Sequence, residues 1–289
     1  MPTQVDLIKK YQLKIAGHLG QHLLIDPNVQ RKIVDLLDLG PGDRVLEIGP
    51  GLGALTGEML RLGVRVWAVE KEKNFIPILK AELGDYPKER FHLLEGDILE
   101  VEVEEILRQM IASHPVKIIG NLPYYITAPI LFKIFDVRKY ISKAVLTVQK
   151  EVAQRMVANP GTKDYSRLSL AVRYFSDTRL AFSINPTCFT PRPEVDSAVV
   201  VMNLHSRKQF TNEDFLFYVI EAAFKQRRKT LLHCLRSDPR LGASEDKLEA
   251  VFKDRGWSQT VRGEELLLKD FFYLAEALLP HVDKPGAAC

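Results

Sequence analysis

A strand-like segment, Arg44-Val45-Leu46-Glu47-Ile48, runs straight into Gly49-Pro50-Gly51-Leu52-Gly53, after which Ala54 to Leu62 has helical spacing. Strand, glycine turn and helix in that order predict an open α/β sheet that binds a nucleotide-like cofactor. The glycines let the backbone approach a ligand, and the first amides of the helix face it. A second strand, Val64 to Val69, ends in Glu70. A carboxylate at that strand end accepts the hydroxyl protons of a ribose. A third, Phe91 to Glu95, is followed by Gly96-Asp97, which places Asp97 to accept from an adenine amino group. Gly49, Gly51 and Ala54 also match the G-x-G-x-x-A dinucleotide fingerprint, so the glycines alone leave NAD open as the ligand.

The fourth strand end carries the chemistry. Ile118-Ile119-Gly120 stops at Asn121-Leu122-Pro123-Tyr124-Tyr125. Asn offers a side-chain carbonyl acceptor, and Pro fixes the local backbone so that a main-chain carbonyl points at the same donor. Two acceptors on one planar exocyclic amine favour a pyramidal nitrogen with an available lone pair. Tyr124 suits stacking on the attached base, a contact worth ~1–3 kcal/mol. Read in isolation, the stretch is equally a strand ending in a turn with core aromatics. Glycine- or acid-tipped strand ends on the same sheet edge favour a cofactor site with an amine-orienting pocket beside it, where α/β folds bind ligands.

At 289 residues the chain accommodates one large and one smaller domain, and 46% hydrophobic with 27% charged residues describes an ordinary globular protein. The net charge of +3 does not by itself identify a polyanionic partner. Cys188, Cys234 and Cys289 are widely spaced with no C-x-x-C pair, which argues against a zinc site and for a reducing compartment. No signal-peptide core or membrane-spanning run is present, so the expected location is the cytoplasm, with no membrane partner and no metal. The absence of a coiled-coil seam leads us to expect a monomer.

Around the four strand ends, Gly17 to Leu24 reads as a flexible lead-in, and Asp26-Pro27 as the cap of a helix from Asn28 to Leu37. Pro129 to Phe135, Lys150 to Ala158 and Ser169 to Phe175 read as helices, Lys143 to Val148 and Val195 to Asn203 as strands. Pro186 to Pro193 is too rich in proline for regular structure, a stiff loop that holds Phe189 either as an aromatic wall or as a packing anchor. After about residue 205 the pattern is wholly helical, with one long run from the Thr211-Asn212 cap to Cys234 and further helices at Ser244 to Asp254 and Glu264 to Leu279. The expected domains are 1–205 and 206–289. In the second, Lys225, Arg227, Arg228 and Lys229 concentrate positive charge; beside a base pocket, a phosphate-binding role is favoured over a merely solvated face.

Taken together, Glu47-Ile48-Gly49-Pro50-Gly51-Leu52-Gly53, Asn121-Leu122-Pro123-Tyr124, Phe189-Thr190-Pro191-Arg192-Pro193-Glu194-Val195-Asp196-Ser197-Ala198-Val199 and Phe224-Lys225-Gln226-Arg227-Arg228-Lys229-Thr230 resemble the KsgA-type ribosomal RNA adenine dimethyltransferases. The likeness spans nearly the whole chain in the right order. It implies a class I S-adenosylmethionine-dependent methyltransferase fold, a Rossmann-like sheet with helices on both faces, plus a small all-α C-terminal domain. It implies dimethylation of two adjacent adenosines near the 3' end of small-subunit (16S) rRNA during ribosome biogenesis, with the immature small subunit as partner.

Carried over by position, Gly49, Gly51 and Gly53 lie against S-adenosylmethionine, Glu70 holds its ribose, Asp97 its adenine, and Asn121 faces both cofactor and target. Leu122, Pro123, Tyr124 and Phe189 frame the flipped base. Gly20-Gln21-His22-Leu23-Leu24 matches the family's lead-in, making His22 and Leu24 cofactor contacts and replacing the flexible reading of that stretch. Leu23 departs from the family's usual Phe, and the basic residues before the motif are thinned to Lys14 and His18. The rivals are a macrolide-resistance methyltransferase acting on large-subunit rRNA, which shares the cofactor half, a DNA adenine methyltransferase, a non-catalytic RNA-binding assembly factor on the same fold, and an NAD-linked oxidoreductase.

Overall fold

The structure is a computed structural model that describes residues 2–15, 22–111 and 115–279. Gly17, His18, Gly20 and Gln21 of the lead-in, and Cys289, lie outside the described residues. The chain divides into two compact units, Met1–Val157 with Phe175–Arg207, and Ala158–Tyr174 with Lys208–Cys289. The segment 158–174, expected in the first domain, is thus grouped with the C-terminal helices.

The first unit begins with α1 (Gln4–Lys10), whose Thr3 and Asp6 form a reciprocal capping box. A two-residue strand β1 (Leu23–Leu24) follows, then α2 (Pro27–Asp35), where the Asp26 side chain accepts from the Asn28 and Val29 amides and Pro27 opens the helix. Next come β2 (Arg44–Ile48), α3 (Ala54–Arg61), β3 (Arg65–Glu70), α4 (Ile76–Leu83), β4 (Phe91–Glu95), α5 (Val103–Met110), β5 (Val116–Asn121), α6 (Thr127–Asp136), β6 (Ile141–Gln149) and α7 (Lys150–Val157). After α8 (Arg167–Phe175), all but the last residue of which belongs to the second unit, the first unit closes with β7 (Ser176–Ile184), β8 (Phe189–Thr190) and β9 (Ser197–Leu204).

Seven strands form one sheet in the order β4-β3-β2-β5-β6-β9-β7. Strands β2 to β6 run parallel, and β9 is antiparallel to both β6 and β7. The chain moves outward from β2 through β3 to β4, then returns to β5 on the other side of β2, which makes the β2–β5 gap the topological switch point. Val45 and Ile119 join a core with Ile33, Leu55 and Met59. Leu46 and Ile118 point the opposite way by the period-2 alternation of strands, yet are equally buried. Both faces of the sheet are therefore covered.

Two stretches depart from the sequence reading. Ser176–Ile184 is a sheet-edge strand in which exposed Asp177 and a bulge at Leu180/Phe182 interrupt the apolar pattern, so no strand was expected there. Within the proline-rich stretch, a 3-10 turn at Pro186–Cys188 leads into Phe189–Thr190, which pairs antiparallel with Leu23–Leu24. The loop is therefore regular at its centre, because the prolines flank the paired residues.

The second unit contains α9 (Glu213–Phe224), α10 (Leu231–Arg236), α11 (Glu245–Arg255) and α12 (Leu268–Leu278) around buried Leu216, Ile220, Phe271 and Leu274. Asn212, Thr230 and Ser244 cap three of them by accepting from backbone amides. The single helix expected to reach Cys234 is broken: five exposed polar residues, Lys225 to Lys229, form a turn, and Thr230 starts a new helix by accepting from the His233 amide.

Candidate active site

The carboxyl ends of the parallel strands open onto a cavity of about 460 Å³ in the first unit, lined among others by His22, Gly49, Gly51, Glu70, Asp97 and Asn121. Gly49, Gly51 and Gly53 have φ of +67°, +59° and +80°, a left-handed conformation open to glycine at little cost. An added Cβ at Gly51 would lie 2.9 Å from Leu23 Cδ2, so the turn is also tight against the N-terminal strand.

Glu70 is only 6% exposed. Its Oε2 accepts from the Gly51 amide at 2.9 Å and its Oε1 from the Glu72 amide at 2.7 Å. Burial raises its pKa, and the backbone amides offset this only in part. Each carboxyl oxygen retains a lone pair beyond its amide partner, so a diol is a fitting ligand. Asp97 Oδ1 accepts from the Leu99 amide at 2.9 Å and Oδ2 from Lys71 Nζ at 2.7 Å. Desolvation alone would raise the Asp97 pKa, but the Lys71 ammonium and the Leu99 amide outweigh it and hold the group below the usual carboxylate range.

At the end of β5, Asn121 Nδ2 donates to the His22 carbonyl at 2.8 Å. A carbonyl only accepts, so this contact fixes the amide's orientation and turns Oδ1 to the other side as the remaining acceptor. The same logic makes His22 Nδ1 the donor to the Pro191 carbonyl, 2.8 Å away. The His22 ring stacks on Tyr124 with centroids 5.5 Å apart and planes tilted by 29°. Tyr124 in turn shares a 2.7 Å hydrogen bond with Ser197 Oγ, while burial raises the pKa of its phenol. His22 therefore ties Asn121, Tyr124 and the proline-rich segment together. Behind the pocket, Gly120 lets β5 pass close to β2: a Cβ there would sit 3.0 Å from the Ile48 carbonyl.

The profile of the ribosomal RNA adenine dimethylase family matches residues 12–253 of this chain. The chain belongs to that family. Among curated relatives, a ribosomal RNA small subunit methyltransferase A from Lachnoclostridium phytofermentans is 38% identical over 277 residues, covering 95% of each chain. The protein of that name from Clostridioides difficile is 38% identical over 94% of each. Among solved structures, a dimethyladenosine transferase from Plasmodium falciparum aligns with a TM-score of 0.72 at 27% identity, over 88% of this chain and 96% of its own. The 23S rRNA methyltransferase ErmE aligns with a TM-score of 0.66 at 23% identity, over 89% and 99%, which speaks for a shared fold. The resemblance read from the motifs, the methyltransferase fold and the enzyme class all agree with these matches.

In this adenine dimethylase the cavity gathers His22, Gly49, Gly51, Glu70, Asp97, Asn121 and Pro123 from the residues singled out by sequence. Leu24, Gly53, Leu122, Tyr124 and Phe189 are off its lining. Leu122 is 2% exposed, with its amide donating to the Thr147 carbonyl at 3.0 Å. Phe189 is 1% exposed and pairs through β8 with Leu24, so its ring belongs to the core cluster. In the second unit, Lys225 lies 3.8 Å from Asp238, and Arg227 donates to Glu264 at 2.9 Å and to the Lys163 and Tyr165 carbonyls. Among the described residues Arg228 and Lys229 are exposed and have no ion-pair partner.

Sequence reasoning missed several residues at the site. Lys71, Lys73, Phe75, Ile98 and Ile130 also line the cavity, as does Tyr125, which stands in the motif read from the sequence but was given no role there. Glu47, an acid inside an apolar strand, is buried one strand from Glu70, and its Oε2 accepts from Thr56 Oγ1 at 2.6 Å. Burial pushes its carboxyl up to about 8, against the opposing hydrogen bond from Thr56, so at neutral pH it holds its proton.

Proposed function

We propose that this dimethylase uses S-adenosylmethionine to methylate the exocyclic amines of two adjacent adenosines near the 3' end of small-subunit rRNA, carrying each to N6,N6-dimethyladenosine on immature small subunits in the cytoplasm. The observation that carries the reading is the Asn121 amide, oriented by the His22 carbonyl, on the wall of the same cavity as Glu70 and Asp97. The donor set fits the cofactor: a buried carboxylate with spare lone pairs suits a ribose diol, an ionised Asp97 suits an adenine amine, and the glycine turn leaves backbone room. His22, Gly49 and Gly51 complete the lining, with Leu24 and Gly53 supporting it from β1 and the start of α3. S-adenosylmethionine supplies an electrophilic methyl group.

The remaining work falls to positioning. Asn121 Oδ1 accepts a hydrogen bond from one N–H of the target amine. The Pro123 carbonyl already accepts from the Ile126 amide at 3.2 Å and from Thr127 Oγ1 at 3.3 Å, so the second, main-chain acceptor is that of Leu122. No strong base is required, since the amine releases its proton to solvent after the new bond forms. Tyr124 stacks on the base, and Phe189 stiffens the pocket from behind. The target base must leave its stack, at a cost of a few kcal/mol, which is least in a loop or single strand. A monomethylated amine keeps one N–H, so a single acceptor suffices to orient it for the second transfer. The helical domain after about residue 205 supplies phosphate contacts through Lys225, Arg228 and Lys229, while Arg227, expected from the sequence to join them, braces their turn through Glu264 and the Lys163 and Tyr165 carbonyls.

The test is methyl transfer from radiolabelled S-adenosylmethionine to small subunits that lack dimethyladenosine, followed by nucleoside mass spectrometry. Dimethyladenosine in small-subunit rRNA is the expected product. Label confined to large-subunit rRNA, or calorimetric binding of NAD in place of S-adenosylmethionine, would overturn the reading.

A further inference from the structure

Tyr125 lines the cavity and is nevertheless 66% exposed, more than any other large apolar side chain among the described residues. Its neighbour Tyr124 is held on both counts, by Ser197 at its hydroxyl and by His22 at its ring. Tyr125 has neither tether: among the described residues its hydroxyl makes no hydrogen bond and its ring no aromatic contact. Packing does not explain a ring left in water at the mouth of a cavity.

The same rim is cationic. Lys71 and Lys73 line the cavity too, and both are exposed. Lys71 donates to Asp97 at 2.7 Å, and it lines the same cavity as Tyr125. Among the described residues Lys73 has no ion-pair partner. A bare aromatic face beside ammonium groups is the combination by which proteins hold single-stranded nucleic acid, bases on the ring and phosphates on the cations.

The geometry points to a second RNA subsite: the nucleotide flanking the target adenosine stacks its base on Tyr125 and sets its phosphate against Lys73 and Lys71. The inference rests on the reading above that the cavity's substrate is RNA, and it adds a contact on the first unit distinct from the Lys225–Lys229 turn. It accounts for two consecutive tyrosines with opposite exposure, the anchored one serving the target base and the bare one its neighbour.

The experiment compares wild type, Tyr125→Ala, Tyr125→Phe, Tyr125→Trp and Lys73→Ala, measuring KM and kcat with a small-subunit rRNA substrate and the affinity for S-adenosylmethionine by calorimetry. Tyr125→Ala is expected to raise the RNA KM about 10-fold, with Phe and Trp within about twofold of wild type, because stacking needs a ring and not a hydroxyl. Lys73→Ala is expected to raise the RNA KM and flatten its salt dependence. An unchanged RNA KM in Tyr125→Ala overturns the subsite. So does a loss of cofactor affinity as large as the rise in RNA KM, which would assign the ring to the cofactor. If Tyr125→Ala fails to fold, fluorescence of the Tyr125→Trp ring decides: quenching by RNA supports stacking, and no change refutes it. Wild-type turnover is the control that separates the two ideas, since a wild type that does not methylate the RNA defeats the proposed function itself.

Discussion

Replacing Glu47 by glutamine should remove a pH-dependent loss of stability that the wild type carries across the neutral range. Glu47 is buried in β2 beside Thr56, and burial moves its carboxyl from an ordinary 4.5 to about 8. In the unfolded chain the group is ionised above the lower value, so between the two the folded state holds one more proton. The stability this proton represents is full below 4.5, declines as pH rises, and is used up at about 8. Each pH unit inside that window removes ~1.4 kcal/mol, so going from pH 5 to pH 7 removes roughly 3 kcal/mol from the wild type. Glutamine has nothing to release and its side-chain carbonyl still accepts from Thr56. The gap between variant and wild type should therefore move by roughly 3 kcal/mol in the variant's favour over those two units. Glu70 lies close enough to raise Glu47 further, so the measured slope belongs to the pair.

The assay is urea unfolding at several pH values, followed by tryptophan fluorescence. The chain has two tryptophans, Trp67 in the first unit and Trp257 in the second. A Trp257→Phe background leaves Trp67 reporting on the unit that contains Glu47. Carboxyls common to both proteins cancel in the difference. Parallel profiles for Glu47→Gln and wild type between pH 5 and pH 7 would mean that Glu47 is ionised in the folded protein, and the burial argument would be refuted.

Three further outcomes are expected. Asn121→Ala should lower methyl transfer roughly 100-fold or more while leaving cofactor binding partly intact, and wild-type turnover in a tritiated-methyl assay would contradict its role. Gly51→Ala should weaken S-adenosylmethionine binding ~10-fold by calorimetry, since alanine pays for the left-handed φ of +59° and its Cβ presses on Leu23. Arg228→Ala and Lys229→Ala should each lower the slope of log affinity for rRNA against log salt by roughly one in a filter-binding titration. Arg227→Ala, whose guanidinium is committed to Glu264 and two carbonyls, should instead lower the melting temperature of the second unit.

The parallel sheet was legible because its strands are short, largely apolar runs that end in glycine, an acid or an amide, and those end residues lie where strand direction requires. Ser176–Ile184 was not, since an edge strand buries one face at most and the bulge between Leu180 and Phe182 shifts its alternation by a residue. The opening helix carries a local signal in Thr3 and Asp6, whose side chains form a capping box ahead of a short apolar stripe. The acids at the site show a different limit. Glu47 and Glu70 have the same side chain on neighbouring strands, but one is enclosed against a threonine hydroxyl and the other faces the cavity with two amides. Which is neutral and which binds is a property of the enclosure, and no local pattern carries it.

The aromatic residues show why motif and geometry answer different questions. Asn121-Leu122-Pro123-Tyr124 specifies the kinds of group that an amine-orienting pocket needs, and the strand before it specifies where the pocket lies. The direction in which each group faces is set by partners far along the chain: the His22 carbonyl, 99 residues away, turns the Asn121 amide, and Ser197, 73 residues away, holds the Tyr124 hydroxyl. Both partners lie in segments that reach the site only after β1 pairs with β8 and β9 enters the sheet beside β6. These antiparallel pairings, one in a separate two-stranded sheet, are therefore a precondition for fixing the Asn121 and Tyr124 side chains. A chain that kept every residue from Gly49 to Tyr125 but lost the β1–β8 pairing would retain much of the cavity and lose the contact that fixes the Asn121 amide.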